Sequence, residues 1–201
     1  MNLAKILLLT VPLISFVAMA QQGGTKMVTA EDVIAKLGLI PLQDEGGYFR
    51  ETYKSSGAIP AQMFGIDGNG DRNILTAIYY LLSPKSFSAL HRLKSDEIFH
   101  FYSGDPVEMI QIDPDGKLKR FIMGPDIFSN QIPQVVVPKG TWQALRLVSG
   151  GAWALMGTTV APGFEFEDFE LGSCDKLLQQ FPQHRNDITR FSRAPGESTH
   201  E

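Results

Sequence analysis

Ser88-Ala89-Leu90-His91-Arg92-Leu93-Lys94-Ser95-Asp96-Glu97-Ile98-Phe99-His100-Phe101-Tyr102-Ser103-Gly104 is the stretch on which the fold turns. It reads as two short strands, Ser88–Leu90 and Ile98–Tyr102, with a polar break between them. Side chains two apart on a strand share a face, so His91 and Leu93 point the same way and Glu97 joins them from the next strand. An imidazole held and tuned by a carboxylate is suited to proton transfer near neutral pH. Burying such a polar pair costs desolvation, which a purely structural core would avoid. His100 falls out of phase with Glu97, Phe99 and Phe101, so a regular strand turns it to the opposite side, as a hydrogen-bonded histidine between layers.

Outward from this stretch the texture stays the same. From Phe49 to Phe169 short β-branched and aromatic runs are punctuated by Gly, Pro, Asn and Asp, which is the pattern of an all-β sandwich or barrel. Further strands are expected at Phe49–Tyr53, Ile74–Leu82, Val107–Ile112, Lys119–Ile122, Gln134–Val137, Gln143–Leu147, Ala152–Thr158 and Phe164–Phe166. Turns fall at Gly68-Asn69-Gly70, Asp113–Gly116 and Ser149–Gly151. The run Asp67 to Asp71 mimics the start of a calcium loop, but Arg72 stands where Gly is needed and Ile78 where the bidentate Glu belongs, so it is read as a turn. A helix opens after Thr29 as N-cap, with Glu31 and Asp32 in its first turn and Gly38 as its stop. A second, capped by Ser173, carries Leu177, Leu178 and Phe181 and ends at Pro182.

Composition narrows the function. The 201 residues hold 18 Lys+Arg against 22 Asp+Glu, a net charge of -4, with 43% hydrophobic residues. That is enough apolar material for one buried core, and too little basic charge for a dedicated nucleic-acid binder. Cys174 is the single cysteine, which excludes a disulfide scaffold and a cysteine-based zinc site. Met1–Ala20 has Lys5, the apolar run Ile6–Met19 and a small-x-small end at Ala18-Met19-Ala20, so it reads as a secretory signal peptide. The expectation is a secreted or periplasmic protein without a stable membrane anchor after cleavage. It would comprise a flexible segment at 21–28, one domain at 29–193 and a polar tail at 194–201.

The spacing His91, Leu93, Glu97, Gly104 resembles the first cupin motif, and Pro138-Lys139-Gly140-Thr141-Trp142-Gln143 resembles the second. Metal cupins have histidine at the positions of Leu93 and Gln143. An amide oxygen is a feeble donor for zinc, iron or copper, so no metal is expected, with a weak divalent ion on His91, Glu97 and Gln143 as the alternative. Several blocks in order are similar to the cupin-5 family, a domain of unknown function: Leu42–Tyr53 with its Glu45-Gly46-Gly47-Tyr48, Thr76–Leu82, His91–Phe101, Pro138–Gln143 and Phe166–Leu171. Family members typically carry His-Pro ahead of that Glu-Gly-Gly-Tyr, where this chain has Gln43-Asp44. The resemblance covers about Ala30 to Arg193. It implies a double-stranded antiparallel jelly-roll barrel with short flanking N- and C-terminal helices, usually a homodimer, similar to dTDP-sugar 3,5-epimerases.

The leading functional expectation is a metal-independent isomerase or epimerase acting on a sugar-like or small polar carbonyl compound. His91 would abstract a proton, Glu97 would orient it, and Gln143 with Tyr53 or Tyr79 would bond the enolate oxygen. Glu51, Tyr53, Tyr79, Phe99, Phe101, Trp142 and Gln143 are the expected binding residues. The alternative is a cupin that binds a small molecule or carbohydrate without turning it over.

Overall fold

The computed structural model describes residues 27–66 and 70–193. The stretch 1–20 expected to be a signal peptide, the segment 21–26, residues 67–69 with the Gly68-Asn69 half of one expected turn, and the tail 194–201 lie outside the described residues.

The chain begins with α1 (Ala30–Leu37), β1 (Ile40–Pro41), β2 (Tyr48–Lys54), β3 (Ala58–Pro60), β4 (Asp71–Asn73), β5 (Thr76–Leu82), β6 (Ser88–Leu93) and β7 (Asp96–Gly104). It continues through β8 (Val107–Ile112), β9 (Leu118–Met123), β10 (Gln134–Val137), β11 (Trp142–Leu147), β12 (Ala154–Ala161) and β13 (Phe169–Leu171), and closes with α2 (Cys174–Gln180) and α3 (Arg185–Phe191). The pairings between named strands are antiparallel. They form a six-stranded sheet, β1-β2-β5-β12-β7-β10, a five-stranded sheet, β13-β6-β11-β8-β9, and a β3-β4 ribbon. This is the jelly-roll architecture, with α-helices only toward the two ends of the described residues.

Three apolar layers hold it together. Between the sheets, Tyr80, Leu82, Phe99, Val135 and Met156 of one sheet meet Val107, Met109, Leu145 and Leu147 of the other. Burial of such side chains is worth about 1.5–3 kcal/mol each. Outside the five-stranded sheet, α2 and α3 bring Leu177, Phe181, Ile188 and Phe191 onto Leu90, Ile110 and Trp142. At the other side α1 covers Leu81, with Tyr48, Tyr79 and Leu155 packed around it.

Local chemistry explains the ends of the elements. Thr29 and Asp32 form a reciprocal capping box at α1, and Gly38 closes the helix in the left-handed conformation. Ser173 occupies the N-cap of α2, yet its side chain makes no capping bond. α3 and the β3-β4 ribbon were not anticipated from the sequence: α3 is only seven residues long, and the strands of the ribbon have three each, too short for a periodic signal. The expected strand at Phe164–Phe166 is instead the start of a turn. Phe166–Asp168 is a 3-10 helix, because the Asp168 N–H bonds the Glu165 carbonyl at 2.9 Å, and the strand begins only at Phe169. Buried Arg72 pins this connection by donating to Asp168 Oδ2 at 2.7 Å and to Glu167.

Candidate functional site

The inward faces of β5, β6, β7 and β12 change character along their length. Toward one end they carry Thr76, His91, Glu97 and Thr158, and there the barrel opens into a cavity of about 140 Å³. His91, Leu93 and Glu97 all line it, as period two requires.

His91 is buried, and its Nδ1–H donates to the carbonyl of Ala89 at 2.8 Å. A carbonyl can only accept, so this bond fixes the proton on Nδ1 and leaves Nε2 as the acceptor. Phe169 stacks on the imidazole at 5.4 Å between centroids, with the planes 26° apart, which restricts the ring's rotation.

Nε2 faces Glu45, whose Oε2 lies 3.8 Å away. Sequence reasoning assigned Glu45 no role, because it sits on a loop rather than a strand. The loop is stitched into place: the Glu45 carbonyl accepts from the Ala89 N–H at 2.9 Å, and Glu45 Oε1 accepts from the Ser88 hydroxyl at 2.8 Å. Gly46 and Gly47 make the approach possible. Both have positive φ, and a Cβ on Gly47 would stand 2.6 Å from the Tyr80 hydroxyl oxygen. That hydroxyl donates to the Gly46 carbonyl at 2.8 Å, and burial raises the Tyr80 phenol well above its ordinary range, so it stays a donor. The Glu-Gly-Gly-Tyr run was thus the available signal for Glu45.

Glu97 is held from the opposite sheet. Gln143 pairs with His91 across β6 and β11, and its Nε2–H donates to Glu97 Oε2 at 2.6 Å, bridging the two sheets at the mouth. Burial pushes the Glu97 carboxyl up, against the opposing pull of His91 and of hydrogen bonds from Gln143 and Thr158. Its neutral, hydrogen-bond-donating form is therefore favoured over that of an ordinary carboxylate.

The other expected binding residues divide sharply. Glu51 lines the rim of the cavity. Tyr53 does not: a bulge between Glu51 and Tyr53 sets Glu51 opposite Ile78 and Tyr53 opposite Ala77, turning Tyr53 to the outer face, where it is half exposed. Tyr79 also faces outward, edge-on to Tyr102 at 6.3 Å and beneath the Arg50 guanidinium. Trp142 neighbours the inward Gln143, so it must face the helices. It packs in their core with Arg92 over its ring at 4.5 Å. Phe99 and Phe101 have the inward phase of Glu97 but pack into the barrel's apolar interior rather than lining the cavity, Phe99 edge-on to Tyr80 at 6.4 Å. His100 points outward, with Nε2 3.3 Å from the Thr159 hydroxyl and Nδ1 accepting from Gln134 at 3.1 Å.

The donor set does not fit a first-row metal centre. Leu93 offers no ligand, Gln143 has only a neutral amide oxygen to offer, and the imidazole stands alone. Among the described residues no group of three or more His, Cys, Asp or Glu side chains could hold a metal ion.

The cupin-5 family model, described as Cupin superfamily (DUF985), matches residues 31–172. An uncharacterized protein of Saccharomyces cerevisiae is 33% identical over 132 residues, which is 62% of this chain and 66% of that relative, just short of two thirds of its length. A crystal structure of a Shewanella oneidensis protein aligns over 83% of this chain and 99% of its own, at 35% identity and a TM-score of 0.74. A hypothetical protein from Leishmania major aligns over 83% and 100%, at 30% identity and 0.75.

Proposed function

The chain belongs to the cupin-5 family of the cupin superfamily, a domain of unknown function, and from the geometry of its site we propose that it is a metal-independent isomerase or epimerase acting on a small carbonyl compound in the barrel mouth. The observation that carries the reading is the Nδ1–H bond from His91 to the Ala89 carbonyl, which presents Nε2 to the cavity as a base beside a carboxylate.

His91 Nε2 takes the proton alpha to the carbonyl. The C–H electron pair moves into the enolate, whose oxygen accepts a hydrogen bond from the Glu97 carboxyl in the neutral form that burial favours. Glu45, 3.8 Å from Nε2, stabilises the imidazolium. Return of the proton from the imidazolium to the alpha carbon, after the planar enolate has turned its other face to Nε2, completes an epimerisation; with an alpha-hydroxyl, protonation of the enolate oxygen gives an enediol, whose other hydroxyl loses its proton as the former carbonyl carbon gains one, completing an isomerisation without net redox change.

Deuterium exchange at the alpha carbon of small ketones in D2O, followed by proton NMR, tests this. Exchange should fall by about 10²–10⁴-fold in His91→Ala, the usual contribution of a general base, with the circular dichroism spectrum unchanged. Equal exchange in the variant would sink the proposal and favour the alternative, a cupin that binds a small molecule without turnover. The expected homodimer and export belong to the same proposal. Exposed Tyr53, Tyr102 and Val136 on the outer face of the six-stranded sheet support pairing of two copies there, which sedimentation tests. N-terminal sequencing of the exported protein, expected to start at Gln21, tests the leader.

A further inference from the structure

The lining of the cavity carries information about its occupant that the acid-base residues do not. Its walls are dominated by Leu42, Phe49, Ile78, Phe164, Phe166 and Phe169, and its volume of about 140 Å³ is close to the roughly 150 Å³ apolar cavity known to take up benzene. Four phenylalanines around one small space suit a flat ring, stacked or met edge-on. A sugar would leave its hydroxyl groups facing these walls without partners, and each buried unpaired hydroxyl costs binding.

The charges point the same way. The polar groups on the lining are Gln43, Asp44, Glu45, Glu51, Thr76 and Thr158, with His91 and Glu97, and no lysine or arginine lines the cavity among the described residues. The basic side chains on flanking segments are engaged elsewhere. Arg72 is paired with Asp168, Lys54 with Glu165 at 2.8 Å, and Arg193 donates to the backbone carbonyls of Glu45 and Phe87. A phosphate or carboxylate entering here would meet acidic groups with no lysine or arginine as counter-charge, whereas nucleotide-sugar recognition calls for arginine, lysine or a helix N-terminus.

We infer that the substrate is an uncharged carbonyl compound with a single aromatic ring or an equally compact apolar body, carrying no phosphate or carboxylate. The inference rests on the proton-transfer reading only for the carbonyl group; the apolar body and the exclusion of anions stand on the lining alone. It also replaces the sugar-like substrate expected from the sequence.

Three probes separate the possibilities: phenylacetone, phenylpyruvate, which exchanges its methyl group for a carboxylate, and dihydroxyacetone, which is sugar-like. Binding to the full mature protein is read from NMR shifts at the Thr158 and Phe169 amides, and turnover separately from deuterium exchange. Phenylacetone should bind at least tenfold more tightly than either of the others, and Glu45→Gln should narrow its advantage over phenylpyruvate. Equal or tighter binding of phenylpyruvate or dihydroxyacetone, or no saturation by any of the three, overturns the inference. Preferential binding of phenylacetone without exchange upholds the ligand class and overturns the proton-transfer reading. Exchange of dihydroxyacetone with no aryl preference does the reverse.

Discussion

The two halves of the barrel interior are built on the same strands and the same inward face, yet one is a plug and the other a site. In the closed half, Phe99, Tyr80, Met156 and Leu145 interlock without polar partners other than the Tyr80 hydroxyl, which finds the Gly46 carbonyl. One or two steps of the pleat away, the same strands place Glu97, Thr158, His91 and Gln143, and the packing gives way to a cavity. Polar side chains in a half-closed space must spend their hydrogen bonds on one another, so they fix geometry instead of filling volume. The apolar half gives the barrel its stability, and the polar half can therefore hold two acidic side chains and an imidazole out of water.

This division makes predictions that differ in size. Phe99→Ala, in the plug, should cost about 3–5 kcal/mol of stability, seen as a lower denaturation midpoint in urea; a loss under about 1 kcal/mol would mean the closed half is not the stabilising one. Gly47→Ala should cost about 1–3 kcal/mol through its left-handed backbone and the clash with Tyr80. It should also abolish proton exchange by displacing Glu45, so a variant that unfolds earlier but exchanges at the normal rate would separate the loop from the site.

Glu97→Gln should show a smaller, pH-dependent effect. Burial raises the Glu97 carboxyl in the folded protein above its unfolded value, so its stability contribution is fully present below the unfolded value and is lost as pH rises through the folded one. The amide escapes that loss. Calorimetry should find variant and wild type similar near about pH 4 and the variant higher-melting toward about pH 8, by about 2–4 °C for each kcal/mol at this chain size. A constant offset across that range would place the carboxyl in a solvated setting. Smallest of all, EDTA treatment should leave exchange rates unchanged, since no step needs a metal; activity restored only by a divalent ion would transfer the chemistry to His91, Glu97 and Gln143 as ligands.

What could be read in the sequence followed strict period two. His91, Leu93 and Glu97 share one face, and His100 the other, because β6 and β7 run regularly through those positions. Where the strand departs from regularity the reading failed: Tyr53 lies past a bulge that reverses its face, which no residue type there announces. Trp142 and Gln143 could not both point inward, and the adjacency alone was sufficient to say so. Glu45 was hidden for another reason. A loop residue has no period, and its position depends on two glycines tolerating a close approach to Tyr80, a contact made only once the barrel is closed.

The pinning of residues 164–171 by Arg72 has a consequence for how such a protein changes over generations. Phe164, Phe166 and Phe169 line the cavity from a connection between β12 and α2 and the short strand that follows it, anchored by a buried ion pair made with the β3-β4 ribbon. The barrel's own strands supply the acid-base groups, while much of the aromatic wall is borrowed from this separately tethered segment. Substitutions there can retune which molecule is admitted while leaving the proton-handling residues and the apolar plug untouched, so selectivity and chemistry are free to evolve at different rates.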